Sequence, residues 1–182
     1  MTRLFIAFFA IAAFGLGADK PPSVYEDWGV CPREYCKYGE WTAQWSMRAY
    51  SARSLKSRVV FTVSEGENVT ALTGLVATTS AGIVRFGRDV ELSGVRLRTG
   101  DLAYLLTYQG EGTFRIWFKG SSYAKAGPFC DDNHQGDCVG VVLKQPHHTW
   151  WAQIRNAKGQ IAWVAMDDDN PGGFNLHVGP EE

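Results

Sequence analysis

The sequence predicts an all-β protein, and three observations carry that prediction. First, Trp150 to Arg155 and Gln160 to Val164 are two alternating aromatic-rich stretches joined by a polar turn that ends in Lys158-Gly159, the pattern of a β-hairpin. Second, two further runs alternate with period two. Leu102, Tyr104, Leu106 and Tyr108 share one face, as do Phe114, Ile116 and Phe118, with Arg115 and Trp117 opposite them. Third, turn signals recur about every ten residues in a chain of 13% aromatics and 20 glycines against 7 prolines, which suits a sandwich or barrel and not disorder.

The elements follow in order. Residues 1–18 carry Arg3, an apolar stretch from Leu4 to Phe14 and then Gly15, Gly17 and Ala18, the pattern of a secretory signal peptide cleaved after Gly17 or Ala18. The apolar stretch is shorter than the roughly twenty residues of a membrane span. No cysteine lies near the cleavage point, so a lipid anchor is not expected. Residues 19–40, with Pro21, Pro22 and Pro32, show no sustained periodicity and are expected to form an N-terminal arm that packs across a sheet edge. From Trp41 the pattern becomes strand-like: Trp41 to Met47, a Ser-rich bend, then Arg58 to Val63, broken by Glu65-Gly66-Glu67. Asn68 to Thr79 is rich in β-branched residues, and shorter strands follow around Gly82 to Phe86 and Val90 to Leu97. The Leu102 and Thr113 runs form a hairpin about Gly110-Glu111-Gly112. Gly120 to His148 reads as loop apart from the apolar Val139 to Leu143. Asp167 to Gly173 reads as a surface turn, and the acidic tail after His177 as a frayed end.

Four cysteines in an exported chain are expected to be oxidised. Cys31 with Cys36 and Cys130 with Cys138 is the favoured connectivity of the three open to four cysteines, because each pair brackets one short polar loop. The formal net charge of −1, with no basic cluster, leaves nucleic-acid binding without an electrostatic footprint.

The segment Met47 to Leu72, an extended strand, a loop of small residues, a second strand and a Gly turn before a β-branched strand, resembles the opening of a bacterial SH3-like domain. The Trp150 to Val164 hairpin resembles that family's closing half, with Ala162 in place of its usual glycine. The resemblance covers about forty residues. It implies small SH3-like barrel modules, two in tandem at 41–120 and 121–182 behind a disulfide-clipped arm. The alternative is a single module with a long β-insertion.

Catalytic readings find little. SH3-like modules often accompany cell-wall peptidases with a Cys nucleophile and a downstream His, but that chemistry needs a free thiol and a further domain. No Gly-x-Ser-x-Gly elbow is present, and His147-His148 reads as a surface pair in a turn before a strand. Zinc on Cys130, His134 and Cys138 would need reduced thiolates. Asp131 to Gly136 and Asp167 to Asn170 lack the closing glutamate of a calcium loop. Gly110-Glu111-Gly112 lacks the lysine of a phosphate loop. No cofactor or metal is therefore expected.

The aromatics are the functional candidates. One of the adjacent Trp150 and Trp151 must leave the core face, and Trp117 lies opposite an apolar stripe. Trp117, Trp151, Tyr104 and Trp163 are the expected ligand-binding side chains. Should Trp117 and Trp151 line one groove, a peptide or glycan ligand follows; the competing expectation is that the other module or the arm covers both faces. The resulting expectation is a non-catalytic, exported, periplasmic or secreted protein that binds a cell-wall glycan or peptide, or an envelope protein. The alternative is a structural or inhibitory envelope protein acting through a disulfide loop.

Overall fold

A computed structural model describes residues 19–32, 36–131, 137–166 and 173–175. The expected signal peptide, the Asp167 run, the acidic tail and His134 lie outside the described residues. Within them the chain is all β, without helix, and its sheets curl partway toward a barrel. No helix among the described residues is long and apolar enough to cross a membrane.

The first sheet is organised around one long strand. In chain order its members begin with β1 (Tyr25–Trp28), β2 (Gly39–Ala43), β3 (Met47–Tyr50), β4 (Val59–Val63) and the thirteen-residue β5 (Asn68–Ser80). They resume much later with β14 (His147–Arg155), β15 (Ile161–Met166) and β16 (Phe174–Asn175). The order across the sheet is β16-β2-β5-β14-β15-β3-β4, with β1 also on β5. β1 and β2 pair with successive stretches of β5, Trp28 opposite Leu75 and Gly39 opposite Ala71, while β14 covers its other edge. The hairpin of β14 and β15 is the one its alternation predicts. Trp150, Ala152, Ile154, Ala162 and Val164 form the core with Trp41, Val63, Val69 and Phe174.

Between β5 and β14 the chain builds a second sheet from β6 (Gly82–Phe86), β9 (Leu102–Tyr108), β10 (Phe114–Phe118), β11 (Ser121–Ala126), β12 (Phe129–Cys130) and β13 (Gly140–Lys144), in the order β11-β10-β9-β6-β13-β12. A separate two-stranded ribbon joins β7 (Val90–Leu92) to β8 (Val95–Leu97). Asp89 anchors that ribbon. The Thr99 N–H and hydroxyl and the Arg96 guanidinium bond its carboxylate and hold it down at about 2. Phe114, Ile116 and Phe118 enter the second core beside Phe86, Leu97 and Leu105, the face their alternation assigns them.

Three features depart from the expected layout. A boundary at residue 120 does not separate the sheets, because β14 and β15 return to β5 and β3 and the second sheet is inserted between them. The sheet membership follows the interrupted arrangement, a run of strands split by a β-insertion. Gly82 and β13 form its entrance and exit, so close that a Cβ on Gly82 would lie 2.5 Å from the Lys144 carbonyl oxygen.

Gly120 to His148 is also not loop-like throughout. Ser121–Ala126 lacks apolar alternation, yet it pairs with β10 because Lys119 and Gly120, both at positive φ, form a two-residue turn that opposes Phe118 to Ser121. His147 and His148 lie inside β14, opposite Ser80 and Thr78, and not in a turn ahead of it. The ladder extends to them because β5 is long enough to pair that far.

The arm meets a sheet edge as expected, but as strands. Both disulfides form as the local connectivity requires, with Cα separations of 5.6 Å for Cys31–Cys36 and 5.9 Å for Cys130–Cys138. Tyr38 stacks on Trp41 and donates its hydroxyl to the Val30 carbonyl, tying the clipped loop to the first core. Burial pushes that phenol up to about 12, against a smaller opposing effect of the Trp150 side chain.

Candidate functional site

β1 is the seam between the sheets, and its alternation divides the candidate residues into two groups. Tyr25 and Asp27 point one way. Asp27, the buried carboxylate of the strand, accepts a hydrogen bond of 2.6 Å from Arg115 Nε on β10, and Tyr25 meets Trp117 edge-on at 6.5 Å. Glu26 and Trp28 project from the opposite face.

The first group forms a recess on the second sheet. β9 and β10 pair in a register that sets Trp117 directly opposite Tyr104, so the two rings share a face. Together with Ile83, Leu102, Asp19 and Lys119 they line a cavity of about 290 Å³. That volume is near the lower end of ligand cavities, about 300–1,000 Å³. The walls are aromatic and aliphatic, and Asp19 and Lys119 add one charge of each sign; Lys119 Nζ also sits 4.9 Å above the Phe118 ring.

Trp117 Nε1 is buried with no hydrogen-bond partner among the described residues. A donor left in that state costs about 1–3 kcal/mol. The recess offers ring faces for stacking and two charged groups. Among the described residues its lining contains no thiol, hydroxymethyl or imidazole nucleophile.

The second group is layered on the first sheet. Arg53, from the Ser-rich bend between β3 and β4, places its guanidinium 5.0 Å from the Trp28 ring and 5.8 Å from the Trp163 ring. The two indoles meet edge-on at 6.1 Å. Glu26 completes the layer by accepting from Arg53 Nη1 at 2.6 Å and from Trp28 Nε1 at 3.2 Å. Trp151, only 7% exposed, lines a shallow cavity with Ala52, Arg53, Glu26 and Ala77. Glu26, Arg53 and Trp28 bond one another, and Arg53 lies across ring surface that would otherwise face solvent.

Tyr104 with Trp117 is thus one site and Trp151 with Trp163 another, and Trp117 and Trp151 do not share a groove. Sequence reasoning passed over Trp28 and Arg53. Trp28 belongs to a four-residue strand too short to show a period, and Arg53 lies in a bend whose composition signals only a loop. Tyr25 was equally hidden. The spacing Tyr25-Glu26-Asp27-Trp28 carries the signal, a strand with one aromatic on each face.

Elsewhere all four cysteines are disulfide-bonded. His147 Nδ1 lies 3.0 Å from Thr79 Oγ1 in a strand-to-strand contact. Among the described residues no three His, Cys, Asp or Glu side chains converge as metal ligands. No protein-family model matches the chain, no curated protein matches it, and no solved structure matches it.

Proposed function

We propose that this chain is a non-catalytic, exported binding protein of the cell envelope, and that its Tyr104–Trp117 recess takes one ring or short side-chain-sized group of a cell-wall glycan or peptide. The observation that carries the reading is the placing of Trp117 directly opposite Tyr104 on the wall of a cavity large enough for such a group. Sugar rings and peptide side chains can stack on aromatic faces. Asp19 and Lys119 would read the polar ends of the ligand. The two disulfides are compatible with export, and the SH3-like resemblance of Met47 to Leu72 and Trp150 to Val164 favours recognition over catalysis.

The test is a titration of the oxidised protein with soluble cell-wall glycan fragments and, separately, with cell-wall peptides, following tryptophan indole N–H resonances. Binding in the recess shifts the Trp117 resonance. Trp117→Ala removes the ring and is expected to weaken binding about tenfold, the equivalent of one stacked aromatic contact. If neither ligand class moves that resonance, the reading fails.

A second reading, a structural or inhibitory envelope protein, draws support from the Trp28–Arg53–Trp163 layer, in which Glu26 ties Trp28 and Arg53 together and Arg53 covers both rings. On that reading Trp163→Ala unfolds the protein, and the parent protein binds neither ligand class. Selective capture of one protein from an envelope extract, with no retention on purified sacculi, would favour it.

A further inference from the structure

The surroundings of the Tyr104–Trp117 recess carry a surplus of positive charge. β6, β9 and β10 pair so that Ile83, Tyr104 and Trp117 form one row across the second sheet, and residues directly opposite one another share a face. The next row on that face sets Arg85 opposite Leu102, and Leu102 lines the cavity together with Lys119. From β13, Lys144 stands opposite Ile83. Three cations thus border the recess, and among the described residues Asp19 is the one carboxylate in its lining.

The protein itself does not neutralise that surplus. Arg85 is exposed, and its side chain makes no hydrogen bond or ion pair with a described residue. Among the described residues the Lys119 ammonium meets only the Phe118 ring, and the Lys144 ammonium bonds the neutral Ser80 hydroxyl at 2.9 Å. Asp19 is exposed and pairs with none of the three. Asp101, the residue before Leu102, is engaged in its own turn, where its carboxylate accepts the Arg98 N–H at 2.8 Å.

We infer that the recess recognises the carboxylate end of a peptide, with the terminal side chain stacked on Tyr104 and Trp117 and the carboxylate held by Arg85 and Lys119. The inference rests on the binding role proposed above for the recess and narrows its ligand. A guanidinium meets a carboxylate with two parallel hydrogen bonds, and an ammonium adds a point charge. The spacing of the rows selects a peptide over an acidic sugar. Residues two apart on a strand lie about 7 Å apart, so the stacked group and the charged group of the ligand must be separated by about that step. A terminal residue with a long apolar or aromatic side chain spans it; a carboxylate borne directly on a sugar ring does not. The cavity of about 290 Å³ has room for one such side chain.

The test is a titration of the oxidised protein at low salt, followed by the Trp117 indole resonance, with N-acetylated glycylphenylalanine as the free acid, the same dipeptide as its C-terminal amide, and glucuronic acid. The free acid should bind about tenfold tighter than the amide, the equivalent of one charge-assisted hydrogen bond, and the preference should shrink as salt is added. Arg85→Gln should remove most of that preference and leave the affinity for the amide unchanged. Asp19→Asn keeps a hydrogen-bonding group and removes the opposing charge, so it should tighten the free acid about threefold, the scale of one exposed charge. Both side chains are exposed and unpaired with described residues, so neither change disturbs the fold, and the two effects have opposite signs. If the amide binds as tightly as the free acid, or glucuronic acid binds more tightly than either, or both variants leave the preference unchanged, the carboxylate assignment falls while the recess remains a binding site. If no probe moves the Trp117 resonance, the binding role falls and the inference with it.

Discussion

Removing the Asp27 carboxylate should loosen the seam between the two sheets. The pair joins strands far apart in sequence, with the Asp27 side chain 8% exposed, the Arg115 side chain 23% exposed and Nε 2.6 Å from the carboxylate. Breaking a buried ion pair by deleting one partner costs about 3–5 kcal/mol, because the other charge stays behind unpaired. Arg115 retains some access to water, so the lower figure, about 3 kcal/mol, applies to Asp27→Ala. A chain of this length loses about 2–4 °C of Tm per kcal/mol, which gives a fall of about 6–12 °C. Calorimetry of the oxidised protein measures it. The double variant Asp27→Leu with Arg115→Met removes both charges and should recover most of the loss, since apolar replacement of a buried pair is often neutral or stabilising. Tyr25 and Trp117 flank the pair, so tryptophan emission should change in Asp27→Ala and return in the double variant. An Asp27→Ala protein melting within about 2 °C of the parent, the shift of an ordinary surface substitution, would refute the assignment of this pair as the seam.

Gly74→Ala should destabilise by about 1–3 kcal/mol, the cost of overpacking. Its Cβ would collide with the Tyr38 hydroxyl and lie 2.8 Å from the Trp151 carbonyl oxygen and 2.9 Å from Trp150 Nε1. Adding Tyr38→Phe removes the first of these contacts and should restore part of the melting temperature. The Tyr38 phenol, raised to about 12 against roughly 10 in the unfolded chain, contributes stability that is fully present below pH 10 and is lost as pH rises through 12. Melts between pH 9 and 12 should therefore fall less steeply for Tyr38→Phe than for the parent, and tyrosinate absorbance should show one late-titrating group; equal slopes would count against the burial of that hydroxyl.

What could be read from the sequence was whatever repeats with a period. Leu102 to Tyr108 and the Phe114, Ile116, Phe118 stripe alternate over enough residues to fix both the strands and their buried faces, and the Trp150 hairpin follows the same logic. The pairing of Trp117 with Tyr104 was within reach once those two strands were joined as a hairpin. Partner choice between distant strands was not, because it depends on tertiary fit. Nothing local tells β14 to pair with β5 across the whole insertion, and a division at residue 120 was the natural reading of a chain whose patterns recur. Ser121–Ala126 escaped notice because an edge strand needs no apolar face of its own when its neighbour supplies the turn and the ladder. Arg53 was invisible for a related reason: its value lies in reaching across to Trp28 and Trp163, which are distant in sequence.

The nearness of the insertion's entrance and exit governs how the chain can assemble. Contacts between residues such as Thr70 and Arg155 close a very long loop if the intervening segment is unstructured, and such closures slow folding. Once β6 and β13 zip together, Ile83 opposes Lys144 and Gly82 touches Pro146, so that whole loop shrinks to a short bridge and β14 starts beside its partner. The second sheet is then a kinetic staple for the first, folding as a local unit that brings the last hairpin to its docking edge.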